Sequence, residues 1–102
     1  MFAYNPVSMF DSVIGVSMME PVTVELAFSC KQAMYIKTLP LHRSQEIVSE
    51  TGDEVVFSLF VAPNYELVQR ILMYGFEVMV LKPASLVEEI KNILNETLEY
   101  YK

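Results

Sequence analysis

From Val22 onward apolar and polar positions alternate, with Val22, Val24, Leu26 and Phe28 separated by Thr23, Glu25 and Ala27. A period of two sends successive side chains to opposite faces, so this run predicts a strand with one face buried. Ser29 then stands three residues before Gln32. At this capping-box spacing the Ser29 hydroxyl can accept from the Gln32 amide, and a helix is predicted from Cys30. Ala33, Met34 and Ile36 are its candidate core residues. Pro40, which has no N–H to continue the ladder, ends it near Leu39.

Ser44 to Glu50 and Glu54 to Ala62 are strand-like runs joined by Thr51-Gly52-Asp53, where Gly52 is expected to supply the positive φ of a tight hairpin. Asn64 is placed to cap a second helix whose Leu67, Val68, Ile71 and Leu72 form one stripe, and Gly75 ends it. Phe76 to Leu81 read as a fourth strand. Ser85 and Glu88, again at capping-box spacing, open a last helix carrying Leu86, Ile90, Ile93, Leu94, Thr97 and Tyr101 at helical intervals. The order β-α-β-β-α-β plus a helix predicts an α+β domain: a ferredoxin-like βαββαβ antiparallel sheet with an additional C-terminal helix. This domain is assigned to residues 21–102. Residues 1–20 show neither period and read as a linker or arm.

Two helices cover one face of such a sheet and leave the other to solvent. The third strand carries bulk on both faces: Val55, Phe57, Leu59 and Val61 on one, Val56 and Phe60 on the other. The fourth offers Met79 and Leu81 opposite Phe76, Val78 and Val80. Val56, Phe60 and Met79 are therefore a candidate docking surface for another domain, a subunit or a ligand. The alternative is that the last helix or the N-terminal arm folds over them.

Composition narrows the function. The chain is 102 residues long, 53% hydrophobic and 20% charged, which suits one folded domain and is far from the signature of disorder. Thirteen acidic residues against seven basic ones give a net charge of −6. That charge repels a phosphate backbone, so direct binding to duplex DNA is not expected. A lone cysteine, no signal-peptide pattern and no long apolar run lead to an expected cytoplasmic location with no membrane contact.

Few residues could carry catalysis. Cys30 and His42, the one thiol and the one imidazole, fall at opposite ends of the first helix, too far apart for a nucleophile–base dyad. They also cannot supply a zinc set, the carboxylates lack calcium-loop spacing, and the glycines are too isolated to cradle a phosphate. No enzyme activity, metal or cofactor is expected. Glu88 and Glu89 read as a solvated pair at a helix start. The remaining polar cluster is His42, Arg43, Ser44 and Gln45, a candidate contact for a ligand or partner in which Arg43 could hold an anion. Equally, Ser44 and Gln45 could satisfy backbone groups at the strand start while Arg43 lies in solvent.

Three stretches carry a resemblance. Phe10-Asp11-Ser12-Val13-Ile14-Gly15-Val16 is similar to the segment joining a WYL domain to its C-terminal extension. Pro40-Leu41-His42-Arg43-Ser44-Gln45 resembles a P-L-H-x-S-Q stretch, and Phe76 to Leu86 resembles a closing V-x-V-L-x-P-x-x-L strand before a final helix. Together they look like the C-terminal extension (WCX) domain of a WYL-type bacterial transcription regulator, with residues 1–20 as the arm from the preceding WYL domain. The resemblance implies a module assisting effector sensing or dimerisation. Its expected partner is the neighbouring WYL domain or a second copy, and DNA is read only through a separate helix-turn-helix domain. These 102 residues contain no tryptophan, hence no Trp-Tyr-Leu signature, and no helix-turn-helix region is expected among them. The chain is expected to be a fragment of a longer regulator or a stand-alone extension.

Two other readings share the fold order. One is a stand-alone small-metabolite-binding domain like the ACT modules. The other, an acylphosphatase-like enzyme, is discounted because Phe28-Ser29-Cys30-Lys31 stands where that family has a Gly-rich loop and an arginine.

Overall fold

The computed structural model describes residues 20–102, so the arm assigned to residues 1–20 lies, Glu20 apart, outside the described residues. Strands β1 (Val22–Ser29), β2 (Glu46–Glu50), β3 (Glu54–Val61) and β4 (Val78–Lys82) form one sheet in the order β2-β3-β1-β4, each neighbouring pair antiparallel. Helices α1 (Cys30–Thr38), α2 (Tyr65–Met73) and α3 (Ala84–Glu99) complete an α+β domain.

The alternation in β1 and β3 has the expected consequence. Val24, Leu26, Phe28, Val55, Phe57 and Leu59 are buried on the helix side, with Ala33 and Ile36 of α1, Val68 and Ile71 of α2 and Leu86 of α3. Phe28 is the centre of an aromatic cluster, edge-on to Phe57 at 5.8 Å and to Tyr74 at 5.3 Å between ring centroids. Met34, in contrast, is exposed, because at 100° per residue it turns away from the stripe of Ala33 and Ile36.

Caps explain the first two helix starts. The Ser29 hydroxyl accepts from the Gln32 amide at 3.2 Å, and Asn64 Oδ1 accepts from the Leu67 amide at 3.0 Å. The third start differs from expectation: α3 begins at Ala84 with Pro83 in the cap position, and Ser85 makes no capping bond. The Pro83 carbonyl instead accepts from the amides of Leu86 and Val87, both at 3.1 Å.

Turns produce three further differences. Gly52 does not have positive φ; the Thr51 hydroxyl organises the hairpin by accepting from the amides of Asp53 and Glu54, both at 3.1 Å. The Cys30 thiol donates to the Gly52 carbonyl at 2.9 Å, tying this turn to the start of α1. After α2, Gly75 adopts φ +59 and a short 3-10 turn spans Gly75–Glu77. The fourth strand consequently begins at Val78, and Phe76, expected on its inner face, is 96% exposed.

Each edge strand also carries a bulge. Leu26 pairs with Val80 but Glu25 with Lys82, so Leu81 is an extra residue and does not share a regular face with Met79. The slip turns Lys82 toward Glu25, and the two form an ion pair at 3.6 Å. In β2, Ile47 pairs with Phe57 and Ser49 with Val56, leaving Val48 extra. Glu50 then stands opposite Val55 and meets Lys37 of α1 at 2.7 Å.

Candidate functional site

The loop from Leu41 to Gln45 runs between α1 and β2, and its side chains do two kinds of work. Pro40 has no N–H, so the Ile36 carbonyl lacks the partner a continuing helix would supply. Gln45 Nε2 donates to that carbonyl at 3.0 Å, while its Oε1 accepts from the Leu41 amide at 2.9 Å. Both ends of the Gln45 amide are engaged by backbone, which makes this residue a tie for the loop.

Ser44 is similarly engaged. Glu46 pairs with Ser58, and two residues earlier Ser44 comes opposite Phe60. There its hydroxyl replaces a backbone partner: it accepts from the Phe60 amide at 2.8 Å and lies 3.4 Å from the Phe60 carbonyl. The expected strand from Ser44 therefore shortens to one from Glu46, because a side chain takes over the ladder. His42 Nδ1 accepts from the Ser44 amide at 3.1 Å and lies 2.7 Å from the Ser44 hydroxyl. With Nδ1 accepting in this contact, the ring's N–H is the one at Nε2. Cys30 and His42 thus have separate partners, in the hairpin turn and in the loop.

His42, Arg43 and Ser44 line one side of a cleft of about 520 Å³ at the end of the sheet where β1 begins and β3 ends. The far wall is α2, through Glu66, Leu67 and Arg70, and Phe60 also borders the space. Arg70 and Glu66 belong to this cleft although nothing local in the sequence marks them; only the docking of α2 beside the loop brings them there. Gln45 does not line it. Both arginines of the chain are exposed at the cleft, and among the described residues neither side chain has an ion-pair or hydrogen-bond partner. Four lysines, in contrast, are paired with glutamates: Lys37, Lys82, Lys91 and Lys102.

The three residues expected to form a docking surface separate. Phe60 and Met79 are 57% and 58% exposed, but Val56 is only 6% exposed and offers little to a partner. It lies on an inner strand with Ala27 and Ser49 opposite it on the flanking strands, and Ala27 is buried with it. The last helix does not cover Phe60 and Met79: its Leu86, Ile90 and Ile93 pack into the helix-side core, and Leu94, Leu98 and Tyr101 beyond them are exposed. Glu89, expected to be solvated, is half-buried, and burial raises its carboxyl above the usual value. Glu88 is exposed and pairs with Lys91 at 3.3 Å.

Among the described residues no three His, Cys, Asp or Glu side chains come together in a way that could hold a metal ion. No described helix is long and apolar enough to cross a membrane. A small α+β domain with a tied polar loop, an arginine-bordered cleft and, on the sheet face opposite the helices, an exposed Phe60 and Met79 is what the described residues build. The chain belongs to the WCX domain family, whose model matches residues 20–98, the whole sheet and nearly all of α3. It is thereby a regulatory-type accessory domain. No curated protein matches the chain.

Proposed function

We propose that the chain is a non-catalytic module of a cytoplasmic bacterial transcription regulator, seated through Phe60 and Met79 on the sheet face opposite its helices against a WYL domain or a second copy of itself. The observation that carries this reading is the exposure of Phe60 and Met79 on the face opposite the helices, in a domain whose family is of the accessory type. The strand order, read from the other edge as β4-β1-β3-β2 with every pair antiparallel, supports a ferredoxin-like description with an added helix. The net charge of −6 supports leaving DNA recognition to a separate helix-turn-helix domain.

The test is sedimentation of the chain, alone and mixed with a WYL domain, against Phe60→Asp and Met79→Asp. Each variant is expected to weaken association while keeping a cooperative unfolding transition. Equal association of parent and both variants would refute the docking reading.

A second reading, a small-metabolite-binding domain like the ACT modules, is favoured by one observation, the cleft beside Arg43. A ligand-induced rise in melting temperature of the isolated chain would support it, since binding the native state stabilises by mass action.

A further inference from the structure

We propose that the cleft between the Leu41–Gln45 loop and α2 binds the carboxylate of a small organic acid on Arg43 and Arg70, with the acid's apolar body against Leu67 and Phe60. The distribution of positive charge points there. In a chain of net charge −6, both arginines border one cleft, and neither is satisfied by any of the neighbouring carboxylates. Guanidinium groups present planar pairs of N–H donors that match a carboxylate, and exposed side chains can reorient onto one. His42, with its proton on Nε2, is a further donor among the lining residues.

The rest of the lining selects the class. A volume of about 520 Å³ suits a small molecule, and Leu41 and Leu67 supply apolar wall. Glu66 borders the same space, so two guanidiniums less one carboxylate leave one net positive charge. That charge suits a single carboxylate and is poorly matched to a polyphosphate or a nucleic-acid backbone. Ser44 and Asn64 also line the cleft, but their side chains are engaged with Phe60 and the Leu67 amide, so they shape the site and the arginines bind. The scaffold is held independently of any ligand, because the loop that carries Arg43 is fixed by Gln45 and Ser44.

The proposal is tested by titrating the full chain with hydrocinnamate, isocaproate, inorganic phosphate and a single-stranded oligothymidine at fixed ionic strength, followed by amide NMR. Saturable shifts at Ser44, Phe60 and Arg70 with at least one carboxylate are expected. Arg43→Gln and Arg70→Gln should each weaken that binding about tenfold or more. Lys31→Gln, which removes a third cation without a partner, should leave it unchanged. Both arginines are exposed, so spectra of parent-like dispersion are expected for both variants, and either one alone suffices for the test. The idea is overturned if neither carboxylate saturates, if shifts centre elsewhere, if both arginine variants bind like the parent, or if phosphate or oligothymidine binds more tightly than the carboxylates. Because Met79 lies outside the cleft, loss of association in Met79→Asp reports on docking independently of this site.

Discussion

The Ser44 hydroxyl stands opposite Phe60 where a backbone residue of β2 would otherwise stand, accepting from the Phe60 amide at 2.8 Å. A side chain thus finishes the β2–β3 ladder and lets the chain leave the sheet early, which is how Arg43 reaches the cleft.

Ser44→Ala removes that acceptor and is expected to cost about 1–2 kcal/mol, read from denaturant unfolding. The Phe60 amide should also exchange with solvent faster than its neighbours in β3. An exchange rate at Phe60 equal to the parent's would show that water or another group replaces the hydroxyl at no loss.

Gln45→Leu leaves both the Ile36 carbonyl and the Leu41 amide without partners and is expected to cost about 1–3 kcal/mol. Gln45→Glu is the sharper variant, because a carboxylate can still accept from Leu41 but cannot donate to Ile36. It should be destabilised at neutral pH and recover in acid, where a protonated carboxyl supplies a donor. Urea midpoints across pH give the answer.

Phe76→Ser should shift stability by no more than about 0.5 kcal/mol, since Phe76 lies outside the core. Phe57→Ala, at a position of 0% exposure, is expected to cost about 3–5 kcal/mol. Similar losses for the two would contradict the 3-10 turn at Gly75–Glu77 and restore a strand beginning at Phe76.

Burial holds the Glu89 carboxyl above its ordinary 4.5. The folded chain then binds this proton more tightly than the unfolded chain, so stability falls as pH rises from 4.5 through the raised value and is level above it. Glu89→Gln has no such loss. It is expected to melt above the parent at neutral pH, with the advantage disappearing in acid below the ordinary value; thermal melts of both proteins across pH measure it.

Local features were legible wherever one residue's neighbours along the chain supply its partners. The strand period of β1, the Ser29 and Asn64 caps and the turn at Gly75 are of this kind. Phe76 shows the limit: its position after Gly75 depended on whether the chain entered the strand at once or after one more turn, and apolar periodicity does not distinguish these. Of the candidate contact residues, His42, Arg43 and Ser44 border the cleft, whereas Gln45 is spent on the Ile36 carbonyl that Pro40 leaves bare.

By itself the sequence determined the element order, the helix-side core and the acidic charge, because period, caps and composition are properties of short stretches or of simple sums. Only the tertiary structure decided that bulges turn Lys82 to Glu25 and Glu50 to Lys37, that Val56 is buried while Phe60 and Met79 are not, and that Arg70 joins Arg43 at one cleft. Each of these depends on register or on helix docking, where contacts between residues distant along the chain, and not local preference, set which groups meet.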